Sequence, residues 1–304
     1  MPYNKMKCTK ILHDLDSEEK ARLWIWMAKF DGKEFMCPKC HGDHYYQHKK
    51  SHGEVRECKN CHLRMRLRAN TIFQNSKTPM LTWLKAICLM AQGKRGISAL
   101  ELQSELSMSS YGTAWRMLHK IREAVRQRDD IYKLKSVVEL DGAVFGKRQT
   151  GNQSQVLVAI ESKDWIDAKG RKKSKAGFAK VVVAKETKKE AQTFVDQAIE
   201  KGSMVNTDGS PSFTNLENVD VDYQVTDMNK EIIDHWLPWV HKFVSNAKNW
   251  LLGTHHGVAA KYLGAYLSEY TFRFNRRHDP DSLFFRILGA CVHANPKTSR
   301  TLLR

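Results

Sequence analysis

The stretch VVELDGAVFG, residues 137–146, decides the fold of the larger part of this chain. It is a valine-rich run bounded by turn-forming residues, which is typical of a β-strand. Three similar runs follow, namely QVLVAI at 155–160, AKVVVAK at 179–185 and MVNTD at 204–208. Between the last two runs, residues 188–200 have the amphipathic pattern of a helix. This strand–strand–strand–helix–strand order predicts an α/β domain with a mixed sheet.

Helical patterns lie on both sides of this sheet region. Apolar side chains recur at helical spacing in four segments before it, and two segments after it look helical as well. These segments are residues 17–29, 79–92, 98–106, 110–128, 228–251 and 255–277. The sequence therefore predicts a multidomain α+β protein in which smaller N-terminal modules precede the α/β domain.

The composition limits the classes of function. The 304 residues include 50 Lys and Arg against 33 Asp and Glu, which gives a formal net charge of +17. A nucleic acid is the favoured partner because basic side chains neutralise phosphates, and an acidic membrane surface is the second possibility. No stretch approaches the ~18 apolar residues of a membrane span, which argues against a channel. The seven cysteines do not resemble a disulfide framework, and the N-terminus lacks a signal-peptide pattern, so we expect a cytoplasmic protein.

Two CxxC pairs predict a zinc ribbon. They are separated by 17 residues, and each pair presents two thiolates from one tight turn. Four thiolates are the tetrahedral ligand set that structural Zn²⁺ prefers. The expected zinc ligands are Cys37, Cys40, Cys58 and Cys61. His41 and His62 directly follow the two pairs and are expected to be bystanders, because four cysteines complete the site.

Alternating arginines follow the last cysteine. The sequence LRMRLR, residues 63–68, predicts a strand with apolar side chains on one face and Arg64, Arg66 and Arg68 on the other. A row of guanidinium groups at this spacing can follow a phosphate backbone. The alternative is a solvated face of an edge strand.

Residues 96–126 fit a helix-turn-helix. Two amphipathic patterns flank a short connection at 107–110, and the second pattern carries Arg116 and Lys120 on its polar side. In a helix-turn-helix these two basic side chains lie near a groove of DNA. An ordinary helical hairpin in a packed domain is the alternative.

Two aspartates end strand runs. Asp141 follows VVEL, and Asp208 follows MVNT. Carboxylates at the ends of neighbouring strands can converge on divalent ions, and hard Mg²⁺ prefers oxygen ligands. Two such ions can support in-line phosphoryl displacement. A turn or cap role is the alternative for each aspartate. Glu139 faces the same side as Asp141 by strand alternation and is a candidate supporting group.

The chain resembles insertion-sequence transposases that carry an N-terminal zinc ribbon and a ribonuclease-H-like DDE domain, the IS1595 group. The resemblance runs from the first CxxC pair to about residue 277. Its most specific segment is KNWLLGTHHGVAAKYLGAYLSEYTFRFNRR, residues 248–277, and further segments are TIFQNSKTPMLTWLKAICLM at 71–90, ELDGAVFGK at 139–147 and TDGSPSF at 207–213. The resemblance implies that Asp141 and Asp208 are the first two catalytic carboxylates.

The resemblance also implies a third metal ligand seven residues before a helical lysine. That lysine is Lys248, and His241 stands where relatives commonly have Glu or Asn. Seven residues are nearly two helical turns, so both side chains share one face. A neutral imidazole favours Mn²⁺ more than a carboxylate would, and it leaves the site one negative charge short. Glu231 and Asp234 are the acidic alternatives, and a surface histidine beside Trp239 is the structural one.

A basic loop is predicted between the second and third strand runs, at residues 162–178. Its charges are expected to follow a phosphate backbone, with a solvated hairpin tip as the alternative. The residues concerned are Lys169, Arg171, Lys172, Lys173 and Lys175. Lys248 is expected to contact DNA near the scissile phosphate. The arginines of FRFNRR (Arg273, Arg276 and Arg277) stay unassigned between DNA contact and structure.

The resulting hypothesis is a transposase with one structural Zn²⁺ and two catalytic Mg²⁺ or Mn²⁺ ions. It acts on double-stranded DNA as a homodimer or larger assembly in a prokaryotic host, where it is associated with the nucleoid. A non-catalytic DNA-binding relative and a structure-specific nuclease are the alternatives. The expected divisions are a helical segment at 1–34, a zinc ribbon at 35–78, a helix-turn-helix region at 79–130, a catalytic domain at 131–280 and a tail at 281–304.

Overall fold

The computed structural model describes residues 6–50, 53–146, 153–166, 170, 172–224 and 236–297. The chain divides into two compact units. The first unit contains residues 1–128 together with 278–304, and the second contains residues 129–277. Each unit is described separately below.

Helices and strands alternate in blocks along the chain. The strands are β1 (Tyr45–Lys50), β2 (Gly53–Cys58), β3 (Arg64–Arg66), β4 (Val137–Phe145), β5 (Ser154–Ile166), β6 (Lys172–Val183), β7 (Met204–Thr207) and β8 (Asp220–Tyr223). The helices are α1 (Cys8–Asp14), α2 (Glu18–Lys29), α3 (Met80–Ala91), α4 (Ala99–Glu105), α5 (Tyr111–Asp129), α6 (Lys188–Ala198), α7 (Pro238–His255), α8 (Leu263–Asn275) and α9 (Leu283–His293). Within the described ranges, no helix combines the length and the apolar character that crossing a bilayer requires.

The first unit is a helical core with a small sheet. Its three strands form an antiparallel meander in the order β1-β2-β3. Helix α2 begins where the Ser17 hydroxyl accepts a hydrogen bond from the Lys20 N–H, as expected for an N-cap. The two carboxylate oxygens of Glu18 accept the backbone N–H groups of Met80 and Leu81, each at 2.9 Å. The first turn of α2 therefore caps the first turn of α3.

The C-terminal helix belongs to this first unit. Residues 281–304 were expected to form a tail, but they contain α9, which packs against α2 and α3. Phe284 and Ile287 on α9 are buried. Trp24 on α2 stacks against Phe285 with ring centroids 6.0 Å apart. The physical reason is the apolar spacing of LFFRILGACV, which gives α9 a face that must be covered.

The second unit is a mixed five-stranded sheet in the order β6-β5-β4-β7-β8. Strands β4, β5 and β6 are antiparallel neighbours, whereas β7 is parallel to β4 and β8 is parallel to β7. Strand β4 is central, and the chain crosses through α6 to reach the parallel strand β7. The α/β domain with a mixed sheet is therefore confirmed.

Helices cover both faces of this sheet. Even-numbered residues of β4, such as Val138 and Leu140, pack with Phe194 of α6. Odd-numbered residues face the other side, where Phe145 packs with Phe243 of α7 and with α8. Because successive side chains of a strand alternate between faces, Glu139 and Asp141 lie on the same side as α7.

Two features of the sheet differ from the sequence prediction. The basic loop expected at 162–178 is shorter, because β5 continues to Ile166 and β6 already begins at Lys172. The pairing passes an irregularity between Ile160 and Ser162, and exposed charged residues are tolerated in the extended two-stranded part. Strand β8 was not predicted, because its sequence DVDY is short and largely exposed.

Candidate functional site

The four cysteines converge in the first unit. The Sγ atoms of Cys37 and Cys61 are 3.4 Å apart, and those of Cys40 and Cys58 are 3.5 Å apart. All four sulfurs lie within 4.8 Å of one another. Tetrahedral zinc with Zn–S bonds of about 2.3 Å places its sulfurs roughly 3.8 Å apart, so the donor set fits this ion.

Two equivalent turns bring the sulfurs together. In the first turn the N–H of His41 donates to the carbonyl of Cys37 at 2.9 Å, and in the second the N–H of His62 donates to the carbonyl of Cys58 at 3.0 Å. Both histidines have φ of 58°, in the left-handed region that closes such a turn. The backbones of the two histidines shape these turns, and the four cysteines are the candidate metal ligands.

The two predicted aspartates lie on neighbouring parallel strands. Glu139 of β4 is paired with Asn206 of β7, so the strands continue side by side to Asp141 and Asp208 two residues later. Asp141 is largely buried on β4, while Asp208 directly follows β7 and is partly exposed. The sheet therefore brings together the two carboxylates that the sequence singled out.

Asp141 lies in an environment that disfavours its negative charge. Burial, and next the charge of Asp208, raise the pKa of Asp141; a hydrogen bond from the Gly142 N–H lowers it, the charge of Glu186 raises it slightly, and the net value is about 7. Burial and neighbouring acids disfavour the ionised form of a carboxyl group, and a nearby cation favours that form. These donors therefore fit a hard divalent cation.

His241 faces the same carboxylate from α7. Its Nδ1 atom lies 3.8 Å from Oδ2 of Asp141, and about a third of its side chain is exposed (36%). The site is more open than the zinc site: in the described parts of the chain, the four cysteines are the group whose ligand atoms all lie within 4.8 Å of one another. Among the described residues, Asp141, Asp208 and His241 do not meet this distance criterion together.

Glu139 holds the start of α7. The helix begins after Leu237, whose side chain makes no capping hydrogen bond. One carboxylate oxygen of Glu139 accepts the N–H of Trp239 at 2.8 Å and that of Val240 at 3.1 Å. Burial raises the pKa of Glu139 and the two N–H groups partly offset that rise, which leaves a net value of about 7. Glu139 thus caps the first turn of α7, and the second N–H that it accepts belongs to Val240, the residue before His241.

Lys248 shares a helix face with His241 but lies further along the strand. Its Nζ atom is 5.5 Å from the ring centre of Phe145, four residues beyond Asp141 on β4. The side chain is exposed. The ammonium group is therefore available to a phosphate at the end of the sheet, and it does not contact the carboxylates.

Glu186 was missed by the sequence analysis. It follows β6, directly before the N-cap residue Thr187 of α6, and its charge acts on Asp141. Its Oε1 atom accepts the Ser210 hydroxyl at 2.7 Å. The sequence did contain an indication of this residue, because Glu186 directly follows the strand-like run VVVAK in the same way that Asp208 directly follows the run MVNT.

The three arginines after the zinc site differ in their surroundings. Arg64 is 63% exposed and its Nε atom lies 2.6 Å from Glu57, while Arg66 is also exposed. Arg68 is half-buried and donates to the backbone carbonyl of Ser76, and burial lowers its pKa. Two of the predicted arginines therefore face solvent, and Arg68 holds the following loop.

The two candidate basic residues of α5 also differ in their surroundings. Arg116 is exposed, near the start of the helix. Lys120 donates from Nζ to the carbonyls of Ile72 at 3.0 Å and Gln74 at 3.5 Å, and burial lowers its pKa. Lys120 is therefore engaged inside the first unit, so it is not placed as a free phosphate contact.

The basic side chains of the β5–β6 hairpin lie away from the carboxylates. Lys173 and Lys175 are exposed, and Lys175 is paired with Lys163 of β5. Val158 is the β5 partner of Asp141, so Lys163 lies five residues, or roughly 16 Å, further along the strand. The side chain of Lys172, together with Lys169, Arg171, Glu231 and Asp234, lies outside the described residues.

Two arginines of FRFNRR serve the structure. Arg276 binds Asp129 through Nη2 at 2.6 Å, and it stacks on Phe272. Arg277 donates from Nη1 to the carbonyl of Phe274 at 2.8 Å. These contacts lie within the second unit and account for both guanidinium groups.

Comparison with known proteins identifies the second unit. Residues 133–275 match the model of the ISXO2-like transposase domain, a DDE family of the IS1595 group. Among solved structures, the chain is similar to one described as "CryoEM structure of simian T-cell lymphotropic virus intasome in complex with PP2A regulatory subunit B56 gamma". The identity is 11%, the match covers 57% of this chain and 68% of that chain, and the TM-score is 0.29. No curated protein matches the chain. The second unit is therefore identified, through residues 133–275, as an ISXO2-like transposase domain.

Proposed function

We propose that this protein is a DDE-type transposase. It binds the terminal inverted repeats of an insertion sequence, and water cleaves the phosphodiester at each end to free a 3′-hydroxyl. That hydroxyl then attacks a phosphodiester of the target DNA, where the new bond forms as the target's own 3′-oxygen leaves. The observation that carries the proposal is the arrangement of Asp141, Asp208 and His241 beside the central strand of an ISXO2-like transposase domain. The mixed sheet, with three antiparallel strands and two parallel ones, supports a ribonuclease-H-like assignment.

The donor set fits two divalent ions. Asp141 and Asp208 offer the oxygen ligands that Mg²⁺ prefers, and the imidazole of His241 is acceptable to Mn²⁺. Bound ions of this kind supply Lewis-acid catalysis of phosphodiester attack. The protein's own contribution is placement: Glu139 fixes the first turn of α7, which holds His241 facing Asp141. Lys248, on the same helix face, is available to bind a DNA phosphate.

The first unit is proposed to bind DNA. One structural Zn²⁺ held by the four cysteines would stabilise the ribbon, and helices α4 and α5 would form a helix-turn-helix. In this proposal the exposed cations Arg64, Arg66 and Arg116 of the first unit contact phosphates, and the exposed Lys173 and Lys175 of the second unit add further phosphate contacts. Arg68 and Lys120 are left out of that set, because backbone carbonyls occupy them. Joining two element ends to one target implies a homodimer or larger assembly on double-stranded DNA.

A strand-joining assay tests this function. Purified protein is incubated with a labelled DNA end taken from sequence flanking the gene, a target plasmid, and Mg²⁺ or Mn²⁺. Wild type is compared with Asp208→Asn, His241→Ala and the control Asp220→Asn, which makes the same chemical change at an exposed position of β8. We expect joined product with wild type and the control, and none with Asp208→Asn.

Other outcomes select the alternatives. If the protein bound DNA but did not cleave it with either metal, the proposed catalysis would be contradicted. The hypothesis of a non-catalytic DNA-binding relative would then remain. Cleavage without joining would instead identify a structure-specific nuclease. An active His241→Ala variant would remove His241 from the metal ligands while leaving the transposase proposal intact.

A further inference from the structure

Glu186 is held in place by polar contacts from three directions. Its backbone N–H donates to Oε1 of Gln155 at 3.0 Å, and its carbonyl accepts the Ser212 hydroxyl at 3.2 Å. Oε1 of its carboxylate accepts the Ser210 hydroxyl at 2.7 Å. An ordinary residue of a strand-to-helix connection needs none of these side-chain contacts. The backbone of Glu186 is therefore fixed by two contacts and its carboxylate by one, and within the described residues no hydrogen bond is made to the second oxygen, Oε2.

One serine joins Glu186 to Asp208. The Ser210 hydroxyl binds Glu186, while the Ser210 backbone N–H donates to Oδ1 of Asp208 at 3.0 Å. The same residue therefore fixes the positions of two carboxylates. Asp141 interacts electrostatically with both Asp208 and Glu186, so the three acids lie near one another.

Gly142 provides the space for the Glu186 carboxylate. A Cβ atom at position 142 would lie 2.1 Å from Oε2 and 2.9 Å from Cδ of Glu186. Both distances are too short for any side chain to coexist with Glu186 in this position. Position 142 directly follows Asp141, so the absence of a side chain there lets Glu186 approach the first catalytic candidate.

The charge balance of the proposed metal site gives a reason for the Glu186 carboxylate to lie near Asp141. Asp141 and Asp208 together carry two negative charges, and neutral His241 adds none. Two divalent cations carry four positive charges, and a third carboxylate reduces the imbalance. Without a cation, three acids in one place would repel each other, which is costly at a buried position such as Asp141.

We propose that Glu186 is a further carboxylate of the divalent-ion site and acts together with Asp141, Asp208 and His241. The inference rests on the proposed function, because it adds a residue to the same site. Gly142 is then a positioning residue that keeps the space for the Glu186 carboxylate open. The cation is a hard divalent ion, with Mn²⁺ as the probe.

Mn²⁺ binding to the full-length, zinc-loaded protein tests the proposal without DNA. Isothermal titration calorimetry compares wild type with Glu186→Gln, which keeps an oxygen for the Ser210 hydroxyl. Glu190→Gln is the matched control, since it removes the same charge from an exposed residue in the first turn of α6. We expect Glu186→Gln to weaken Mn²⁺ binding by about tenfold to 100-fold and Glu190→Gln to leave it unchanged.

Gly142→Ala gives a second, independent test. The new Cβ displaces only the flexible end of Glu186, so the fold is retained and Mn²⁺ binding should fall as it does in Glu186→Gln. The double variant should bind no more weakly than either single variant, because both changes remove the same ligand. If the double variant weakened Mn²⁺ binding by the product of the two single effects, the inference would be overturned.

Asp208→Asn separates this inference from the proposed function. If Asp208→Asn abolishes Mn²⁺ binding while Glu186→Gln matches Glu190→Gln, the metal site stands and Glu186 is not part of it. If Asp208→Asn also leaves binding unchanged, the metal site of the proposed function fails, and the inference about Glu186 fails with it.

Discussion

At the scale of single residues, Asp141 shows how a candidate functional residue lowers the stability of the folded chain. Its carboxyl group is largely buried on the central strand, beside Asp208 and Glu186. Such an arrangement is costly in the absence of a cation, and perturbed carboxyl groups of this kind are typical of functional sites.

Asp141→Asn should make the protein more stable at high pH. Burial, and then the neighbouring acids, raise the pKa of Asp141 to about 7 in the folded chain, above its ordinary value of 3.8. The folded state therefore binds this proton more tightly than the unfolded state does. The associated stability is present below about pH 4 and is lost as the pH rises to about 7. Without added Mg²⁺ or Mn²⁺, Asp141→Asn should gain on the order of 1–3 kcal/mol over wild type at pH 8.

Urea unfolding of the zinc-loaded protein from pH 5 to pH 8 measures this difference. Asp220→Asn on exposed β8 is the control, and its stability should follow that of wild type. Equal pH dependence in wild type and Asp141→Asn would contradict the raised pKa.

The zinc turns allow a second residue-scale prediction. Cys40→Ser removes one of four sulfurs, so zinc content should fall well below one ion per chain, and the thermal midpoint should fall with it. His41→Asn removes the adjacent imidazole, but asparagine tolerates the left-handed φ of 58°. Mass spectrometry of bound metal should find one zinc in this variant. Zinc loss in His41→Asn would make the histidine a ligand.

The sequence predicts candidate residues where local spacing defines them. The convergence of four cysteines follows from two CxxC pairs, and the candidates Asp141 and Asp208 follow from their positions after strands. Lys120 was misjudged as a DNA contact, because its partners are carbonyls about fifty positions earlier in the chain. Glu186 was missed because only the crossover to α6 brings it to Asp141. Long-range partners of this kind leave no trace in local periodicity.

At the scale of elements, α7 depends on another element for its beginning. Leu237 gives no side-chain cap, and Glu139 of β4 supplies the acceptor for two N–H groups of the first turn. An N-terminal cap stabilises a helix by roughly 1 kcal/mol. This contact sets the position of α7 relative to β4, and with it the distance from His241 to Asp141.

Glu139→Ala should loosen the start of α7. The N–H groups of Trp239 and Val240 lose their acceptor, at a cost of about 1–2 kcal/mol. Hydrogen exchange should accelerate in residues 238–243 and stay unchanged in α6. Glu139→Gln keeps an acceptor oxygen and should exchange close to the wild-type rate. Unchanged exchange in Glu139→Ala would show that the cap does not hold the helix.

Element boundaries were harder to predict than element types. The first four strands of the α/β domain and its crossover helix follow from apolar patterns. The ends of β5 and β6 do not, because their paired extension carries lysines and an exposed Ile166 where a loop was expected. Strand β8 is held by pairing with β7 and not by its own apolar content.

At the scale of the whole molecule, the chain builds one unit from two distant segments. Residues 278–304 complete the unit begun by residues 1–128, and residues 129–277 form the other unit between them. The sequence of α9 has an apolar pattern, but that pattern does not indicate that the helix packs against α2 and α3.

Phe284→Ala should destabilise the first unit selectively. Phe284 is fully buried, and its ring lies 5.9 Å from that of Trp24 in an edge-to-face arrangement. Removing a buried phenylalanine ring costs about 3–5 kcal/mol. Hydrogen exchange should therefore accelerate in α2 and α3, while β4 keeps its protection. Phe243→Ala, a matched change in the second unit, should give the reverse pattern. Equal acceleration in both units would contradict the division.

The divided first unit has a consequence for synthesis on the ribosome. Domains usually fold in the order in which they emerge, beginning at the N-terminus. Here residues 129–277 are all translated before α9, at 283–293, exists to cover α2 and α3. The unit that starts the chain is therefore the last to be finished. A nascent chain that stops before α9 has the candidate catalytic residues, but its first unit, with the four clustered cysteines, is still incomplete.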